Sequence, residues 1–315
     1  MKLSLIIEYR YLRQNITTAL LGTFREHHVS IDVLCPQDCH FQPETGVVRT
    51  EAGTEYDLLG YDAVISRCRN VLGLAMLGYA DTAGIPTINS YRAVQRARNK
   101  AEVALALGAA GVPCAPTILA DRAAVLRELP RDWFPLILKA TYGDASQGLR
   151  VIRRPEDLLD LRWSDELALA QHYVVNDGYD LKLYVVGERV FGMRKPSPLN
   201  CDRGATAMPI VPDAEMAAIA RRCGQVLGLQ IYGVDAIQTD AGPLVIEVNE
   251  FPNFTDVPRA ADAIADYILD RVMSPPRAVP PVPTEHPRYL PVRAERRRAE
   301  LKGGLHANRL SAAGV

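Results

Sequence analysis

Residues 233–254 constrain the fold most, because two short apolar segments flank a turn and carry acidic side chains at positions where burial is expected. The segments 234–238 and 244–248 have the length and β-branched content of strands. Between them, residues 239–242 read Thr-Asp-Ala-Gly, a composition typical of tight turns. The pattern therefore predicts a β-hairpin.

Three oxygen-bearing side chains lie on this predicted hairpin: Asp235, Glu247 and Asn249. Glu247 and Asn249 are two residues apart on one strand, so they share a face, and a hairpin of this length can bring Asp235 opposite them. Two carboxylates and a carboxamide form the all-oxygen set that suits Mg²⁺, and a metal is one partner that a buried charge can have. The alternative is that both carboxylates simply face water. This stretch alone leaves both interpretations open, and the rest of the chain favours the metal.

Strand-like and helix-like segments alternate over the first 95 residues, which predicts an α/β fold with a parallel sheet and ligand groups at the strand ends. The predicted strands cover 3–7, 30–34, 63–66 and 86–88, the predicted helices cover 16–28 and 72–83, and 36–56 looks irregular. Four arginines follow these strands at the same end: Arg10, Arg13, Arg67 and Arg69. Each alone is typical of a surface residue, but as a set they suggest an anionic substrate.

The middle and C-terminal parts of the chain also combine strands and helices. We predict one helix over 89–107 that contains Lys100, strands at 117–119, 136–140, 149–152 and 167–173, and helices at 121–129 and 155–161. A second hairpin is predicted over 181–193, followed by helices at 213–227 and 260–273. Residues 274–315 are rich in proline and arginine, and are either a disordered tail or an arm that packs on a second subunit of a homo-oligomer.

Composition excludes several classes of partner. The net charge of −1 gives no global basic field for nucleic acid or a membrane surface. No apolar run approaches the roughly 20 residues of a membrane span, and the N-terminus becomes charged too soon for a signal peptide. The 6 cysteines are scattered and form no zinc-site pattern. We therefore expect reduced thiols in a cytoplasmic protein that binds neither nucleic acid nor membrane.

A lysine precedes a Gly/Ser-containing loop between two predicted strands. Lys139 ends the strand 136–140, and the loop 143–148 reads Gly-Asp-Ala-Ser-Gln-Gly. The backbone N–H groups of such a loop can close over phosphates while the lysine neutralises them. It is not a Walker loop, because no Gly-Lys-Ser/Thr opens a helix. Taken alone, the segment is more often only a hairpin.

In order and spacing, these segments resemble the ATP-grasp fold, and within it the RimK-type amino-acid ligases. The resemblance covers about residues 60–272. The stretches that carry it read Asn-Ser-Tyr-Arg-Ala-Val at 89–94, Ala-Gly-Val-Pro-Cys-Ala-Pro-Thr at 110–117, Gly-Tyr-Asp-Leu-Lys-Leu-Tyr-Val-Val-Gly at 178–187 and Asn-Cys-Asp-Arg-Gly-Ala-Thr at 200–206. It implies an N-terminal pre-ATP-grasp α/β domain (1–95), an ATP-grasp domain (96–273) with a lid lobe at about 112–172 and a metal-binding lobe at about 173–273, and the tail (274–315).

The resemblance also implies roles for individual residues. The nucleotide would be held by Lys100, Lys139, Gly143, Ser146, Gly148, Gln171, His172, Tyr173, Val174, Asp180 and Asn200, with 171–174 around adenine and Asp180 on the ribose. Asp235, Glu247 and Asn249 would bind two Mg²⁺ ions, with Mn²⁺ as an alternative. The predicted catalytic residues are Arg194, Arg203 and Lys182, the two arginines facing the acyl phosphate and the later oxyanion.

The resemblance implies an ATP- and Mg²⁺-dependent carboxylate–amine ligase that forms an amide or peptide bond through an acyl phosphate, on an amino acid or short peptide. Two departures leave alternatives open. Lys182 stands where RimK-like proteins usually carry Arg, so its role is less defined. Residues 250–254, with 181–187 and 194–197, are similar to inositol phosphate 5/6-kinases of the same fold, so a small-molecule kinase is the second hypothesis. A nucleotide-binding scaffold without turnover is the third, and the complete set of acidic ligands argues against it.

Overall fold

A computed structural model of the chain describes residues 1–142, 149–199 and 204–274. The elements of the first part are β1 (Lys2–Ile7), α1 (Tyr9–Leu12), α2 (Asn15–Glu26), β2 (Ser30–Leu34), β3 (Cys39–Gln42), β4 (Val47–Thr50), β5 (Glu55–Asp57), β6 (Ala63–Arg67), α3 (Val71–Thr82), β7 (Thr87–Ile88), α4 (Tyr91–Arg98) and α5 (Lys100–Ala109). Four of these strands form a parallel sheet in the order β2-β1-β6-β7. The predicted parallel sheet is therefore present, and its strand ends lie at one edge.

The prediction that residues 36–56 are irregular is wrong. Strands β3, β4 and β5 form a small antiparallel sheet, in which Phe41 pairs with Val48 and Val48 pairs with Tyr56. This cross-strand row packs against the core beneath the parallel sheet, where Val48 is fully buried. Strands of three or four residues are too short to show a period in the sequence, so the segment was not recognised.

The prediction of one helix over 89–107 is also wrong, because the helix is interrupted at Asn99. The side chain of Asn99 accepts hydrogen bonds from the backbone N–H groups of Ala101 and Glu102, which caps a new helix, α5. Lys100 is consequently the first residue of α5, and its backbone N–H donates to the Thr141 carbonyl at 3.2 Å. The interruption places Lys100 beside the end of the strand that carries Lys139.

The second part is an antiparallel sheet in the order β10-β9-β11-β8, and its strands are β8 (Thr117–Ala120), β9 (Leu136–Lys139), β10 (Arg150–Ile152) and β11 (Ala168–His172). The helices predicted at 121–129 and 155–161 are present as shorter 3₁₀ helices, at Ala123–Glu128 and Pro155–Leu158. Each turn buries a leucine, Leu126 or Leu158, against the sheet. Segments this short gain too few intrahelical bonds to extend into α-helices.

The third part consists of β12 (Tyr179–Val186), β13 (Arg189–Pro196), β14 (Met208–Ile210), α6 (Ala214–Leu227), β15 (Ile231–Thr239), β16 (Gly242–Glu250) and α7 (Ala260–Met273). Its antiparallel sheet has the order β14-β13-β12-β15-β16. The helix α7 has the predicted bounds, and the hairpin β15–β16 is longer than predicted. Strand β14 was not predicted.

The C-terminal part is tied to the N-terminal sheet at two places. Ile264 and Ile268 of α7 are fully buried in the same core as Phe24 of α2. Asn89, which follows β7, is fully buried, and its amide nitrogen donates to the Ile231 carbonyl at 2.7 Å. Its amide oxygen accepts from the backbone N–H groups of Gln230 at 2.6 Å and Ile231 at 2.9 Å. These contacts hold the ends of the parallel strands next to the hairpin β15–β16.

Among the helices of the described residues, none combines the length and hydrophobicity needed to cross a bilayer. The cysteines that the structure describes are free thiols, as expected, and Cys201 lies outside the described residues. Burial raises the pKa of the Cys68 and Cys223 thiols to about 12, so both are protonated at neutral pH. The division into domains 1–95 and 96–273 stays a prediction, and residues 275–315 of the predicted tail lie outside the described residues.

Candidate active site

A cavity of about 570 Å³ lies where the ends of the parallel strands meet the hairpin β15–β16 and the sheet that carries β9 and β11. The predicted site residues that line it are Lys100, Lys139, Gln171, His172, Tyr173, Val174, Asp180, Lys182, Asp235, Glu247 and Asn249. Arg10, Arg67 and Arg69 of the predicted anion site also line it. Residues from widely separated parts of the sequence thus meet in one place.

Other predicted site residues are not placed in this cavity. Gly143, Ser146, Gly148, Asn200 and Arg203 lie outside the described residues. Arg194 is described but does not line the cavity.

The side chain of Arg194 pairs with Asp177 and lies over the ring of Tyr179, with 4.4 Å between the guanidinium carbon and the ring centroid. Neighbouring residues on a strand face opposite sides, and it is the next residue, Lys195, that lines the cavity. Lys195 is opposite Asp180, which also lines it. Arg194 therefore points away from the lining of this cavity, and its assignment to the reacting groups stays a prediction.

The hairpin places its acidic residues on one face. Asp235 is directly opposite Glu247, and Asn249 is opposite Gly233. A β-bulge follows Asp235 in the pairing, and Ile246 is the extra residue on the partner strand. The Ile246 carbonyl accepts a hydrogen bond from the Lys139 amine at 3.4 Å. Bulges redirect backbone groups next to sites, and this one joins the hairpin to the strand that carries the buried lysine.

Two lysines neutralise the two carboxylates. The Lys182 amine is 2.6 Å from a carboxylate oxygen of Asp235, and the Lys100 amine is 3.3 Å from one of Glu247. Burial raises the pKa of Asp235, and Glu247 raises it further, whereas Lys182 opposes both effects. Burial by itself would lower the pKa of Lys182, but Asp235, together with Asp180 and Glu247, outweighs burial and raises that pKa. The two carboxylates on this face of the hairpin thus bind two ammonium groups, those of Lys182 and Lys100.

The residues on this face fit a hard divalent cation. Asp235 and Glu247 offer carboxylate oxygens and Asn249 offers an amide oxygen, the donor types that Mg²⁺ takes. Within the part of the chain that the structure describes, no group of three or more His, Cys, Asp or Glu is arranged to hold a metal ion. A cation bound here would therefore depend on the amide, water or phosphate oxygens besides the two carboxylates. Mg²⁺ characteristically completes its coordination with water and substrate phosphates.

Lys139 is a buried cation whose direct hydrogen-bond partners are neutral. Its side chain is only 9% exposed and its amine donates to the side-chain oxygen of Gln171 at 2.6 Å. Burial lowers the pKa of Lys139, although Glu247 opposes the shift. No ion pair of Lys139 with a carboxylate occurs among the described residues. A phosphate brought into the cavity would supply the missing negative charge.

The segment 171–174 lies at the cavity wall, as expected for an adenine slot. The backbone N–H groups of His172 and Tyr173 already donate to the carbonyls of Pro116 at 2.9 Å and Pro135 at 3.2 Å. The imidazole of His172 lies edge-on to Trp133, at 6.0 Å between ring centroids. Backbone recognition of adenine in this segment thus cannot use those two N–H groups, and its role stays a prediction.

Asp180 is buried at the cavity wall with 4% exposure. Its carboxylate accepts a hydrogen bond from the side-chain amide of Asn176 at 2.9 Å. A carboxylate held in this way can accept hydrogen bonds from hydroxyl groups, which is what the predicted contact with ribose requires.

Two buried carboxylates were not identified as site residues from the sequence. Glu250 pairs with Arg69 at 3.0 Å, and Glu8 pairs with Arg10 at 3.0 Å. Glu8 also accepts hydrogen bonds from the backbone N–H groups of Arg69 and Asn70. Its position directly after a buried strand, at the edge where the arginines gather, is the signal that could have identified it. Glu250 follows Asn249 in the hairpin and gives no separate signal.

The chain is similar to known proteins in sequence. Residues 97–271 match the family described as RimK-like ATP-grasp domain. The chain is 28% identical over 283 residues to a probable alpha-L-glutamate ligase 2 of Hahella chejuensis, covering 82% of this chain and 93% of that protein.

Two solved structures share the fold. A RimK domain ATP-grasp protein from Sphaerobacter thermophilus superposes with a TM-score of 0.67 at 17% identity, covering 87% of this chain and 100% of the other. The ATP-grasp ligase PsnB, in a structure with its minimal precursor, Mg and ADP, superposes with a TM-score of 0.64 at 16% identity, covering 86% and 98% of the two chains. At these identities the similarity concerns the fold, and it confirms the architecture expected from the sequence.

Proposed function

The chain belongs to the RimK-like ATP-grasp family, and from this premise we propose that it is an ATP- and Mg²⁺-dependent carboxylate–amine ligase that forms an amide bond. The observation that carries the proposal is the cavity in which the buried Lys139 faces the hairpin pair Asp235 and Glu247. Phosphoryl transfer from ATP uses cationic side chains that contact the phosphates and acidic side chains that hold magnesium, and this cavity offers both kinds of group. The name of the Hahella relative, a probable glutamate ligase, supports the ligase class.

The proposed reaction has two steps. A carboxylate oxygen of the first substrate attacks the γ-phosphorus of ATP, which gives an acyl phosphate and releases ADP. The neutral amine of the second substrate then attacks the acyl carbon, phosphate leaves with the bonding electrons, and the nitrogen loses a proton. No protein nucleophile is required, so the residues of the cavity act by positioning the substrates and by electrostatics.

Several of the predicted residues have a defined role in this proposal. Lys139 and Lys100 hold phosphate oxygens, and Asp180 accepts hydrogen bonds from the ribose. Asp235, Glu247 and Asn249 hold magnesium, which when bound neutralises phosphate charge. Arg203 remains the proposed donor to the oxyanion. Lys182, which pairs with Asp235, supports the metal face rather than contacting substrate.

We propose that the substrates are amino acids or short peptides, with L-glutamate as the first candidate. The relatives named as probable glutamate ligases support this choice, and PsnB, which shares the fold, has been solved with a precursor peptide. The kinase alternative would place a dense polyanion in the same cavity. Most of its basic side chains already have carboxylate partners, which favours a substrate of lower charge.

The decisive experiment is an ADP-release screen with pairs of amino acids and short peptides, L-glutamate included, followed by mass analysis. A ligase yields a product lighter by one water than the sum of its substrates. Hydroxylamine added with ATP and the carboxylate substrate alone should trap a hydroxamate. A phosphorylated hydroxyl product that forms without an amine, and with no hydroxamate, would decide for the kinase.

A further inference from the structure

Basic side chains line much of the cavity, and most of them have a carboxylate partner. The ion pairs are Arg10 with Glu8 at 3.0 Å, Arg69 with Glu250 at 3.0 Å, Lys100 with Glu247 at 3.3 Å, Lys182 with Asp235 at 2.6 Å and Lys195 with Asp256 at 3.7 Å. Among the described residues that line the cavity, the basic side chains without such a partner are Lys139 and Arg67. The nucleotide accounts for Lys139, so Arg67 is the cation that still requires a counterion.

The guanidinium of Arg67 is surrounded by neutral groups. It is 6% exposed, and its nitrogens donate to the Thr17 hydroxyl at 2.7 Å, the Gln14 side-chain oxygen at 2.6 Å and the Phe251 carbonyl at 3.4 Å. The rings of Tyr11 and Phe251 lie at 5.1 and 5.6 Å from the guanidinium carbon, within range of cation–π attraction. These contacts fix the orientation of the group but do not balance its charge.

A buried charge without a counterion is costly, and proteins usually pair such a group. Burial lowers the pKa of Arg67 to about 10, so the group is still charged at neutral pH. A purely structural arginine at this depth could have paired with Glu8 or Glu250, which instead bind Arg10 and Arg69. The arrangement leaves one positive charge at the cavity wall.

We propose that Arg67 binds a carboxylate that the amine substrate keeps through the reaction, namely the α-carboxylate of an amino acid. The assignment rests on the proposed ligase function, which requires an amine. The carboxylate of the other substrate is consumed, and it must meet ATP beside Lys139 and the metal face. The carboxylate of the amine substrate stays charged throughout the reaction, so a cation away from the reacting groups can bind it.

The net charge of this wall favours a carboxylate over a phosphate. Glu8 pairs with Arg10 and Glu250 pairs with Arg69, so the charge of Arg67 is the one positive charge left without a carboxylate among these three arginines. A carboxylate carries one negative charge and forms a two-bond fork with arginine, whereas a phosphate monoester carries nearly two charges at neutral pH. Arg67 thereby sets specificity for an amino acid over an amine that lacks an acidic group.

The test measures binding of three probes to the full-length protein saturated with a non-hydrolysable ATP analogue and Mg²⁺. The probes are L-glutamate, L-glutamine, which keeps the α-carboxylate, and L-isoglutamine, in which that group is an amide. Titration calorimetry should show that wild type binds glutamate and glutamine about tenfold to a hundredfold more tightly than isoglutamine, the range of a charge-assisted hydrogen bond. Arg67→Gln should reduce this preference to less than about twofold on the same scale.

Two further variants complete the design. Arg67→Lys keeps the charge without the fork, so it should retain a reduced preference, and it decides the matter if Arg67→Gln does not fold. Arg10→Lys changes a guanidinium of the same wall but keeps the charge that balances Glu8, so most of the preference should remain. Thermal melting monitors folding of every variant.

The proposal is overturned if wild type binds isoglutamine as tightly as glutamate, if it binds none of the three probes, or if a folded Arg67→Gln protein keeps the preference. The proposed function fails separately. An Arg67-dependent preference with no ligated product and no hydroxamate would reject the ligase while the anion site stands. Ligation that proceeds with an unchanged preference in Arg67→Gln would reject only the anion site.

Discussion

Replacing Lys139 with methionine separates a role in nucleotide binding from a role in the fold. Methionine has nearly the length of the lysine stem but no charge. The amine it removes donates to Gln171 at 2.6 Å and to the Ile246 carbonyl at 3.4 Å, and it has no carboxylate bonded to it among the described residues. The substitution therefore deletes a buried cation without breaking an ion pair.

Two opposing effects on stability follow. The Gln171 side-chain oxygen loses its partner, which costs about 1–3 kcal/mol when such a group is left unsatisfied. The folded protein no longer buries an ammonium group, which is a gain of the same order. We expect the free energy of unfolding to change by less than about 1 kcal/mol. Loss of a charge-assisted bond to phosphate costs about 1.5–3 kcal/mol, so the Kd for nucleotide should rise roughly 10- to 150-fold.

Titration calorimetry with a non-hydrolysable ATP analogue and Mg²⁺ measures the affinity, and urea unfolding measures the stability. Lys2→Met is the matched control, because the Lys2 side chain is half-exposed and pairs with Asp32 away from the cavity. An unchanged nucleotide affinity in a folded Lys139→Met protein would refute the assignment. A large loss of stability with normal affinity would show that Lys139 holds the fold together instead.

The pH dependence provides a second readout of the same lysine. Burial lowers the pKa of Lys139 below its ordinary value of 10.5. Nucleotide binding needs the protonated amine, so affinity should fall as the pH rises through the lowered pKa. Between that pKa and 10.5 the unfolded chain binds more protons than the folded one, so this lysine makes the ligand-free protein more stable as pH rises across that window. Lys139→Met should lose both pH-dependent changes.

Three other substitutions test separate parts of the site and fold. Glu247→Gln should abolish ADP release while the thermal melt stays cooperative, because the carboxamide lacks the charge that holds Mg²⁺; near-normal turnover would contradict the metal assignment. Arg203→Ala should lower kcat about 10²- to 10³-fold with ATP affinity nearly unchanged, the usual effect of losing one oxyanion donor, and a matching loss of ATP affinity would argue against that role. Asn89→Ala should lower the free energy of unfolding, measured in urea, by about 3 kcal/mol, because three backbone groups at the beginning of β15 lose their hydrogen-bond partner. A loss under about 1 kcal/mol would mean that water takes the place of the Asn89 side chain.

Most of the regular elements could be predicted from the sequence, because each carries its own signal. The strand at 30–34 and the helix at 260–273 have the predicted bounds, and both are bounded by clear changes in hydrophobic pattern. The elements that could not be predicted depend on their surroundings. The small sheet around Val48 is stabilised by packing beneath the parallel sheet, and the break at Asn99 is stabilised by one side chain capping a new helix. Neither interaction produces a periodic pattern of hydrophobic residues in the local sequence.

The site could be predicted in its composition but not in its pairings. Strand periodicity and turn length alone would pair Asp235 with Ile246, and it is the β-bulge at Ile246 that puts Asp235 opposite Glu247. Arg194 shows the limit of the same reasoning, since a resemblance of motifs does not fix which of two adjacent basic residues faces inward. Strand alternation decides it, and Lys195 is the one that lines the cavity.

The distribution of counterions across the cavity links its two halves. A ligase must hold two anionic substrates close together before either has reacted, and each needs a cation that is not already neutralised. Among the described residues that line the cavity, Lys139 at the hairpin side and Arg67 at the sheet side are the buried cations whose direct hydrogen-bond partners are neutral. The paired lysines and arginines around them keep the total charge of the wall low. Each unbalanced cation can therefore attract one anion strongly, which is why we propose that the first binds ATP and the second binds the retained carboxylate.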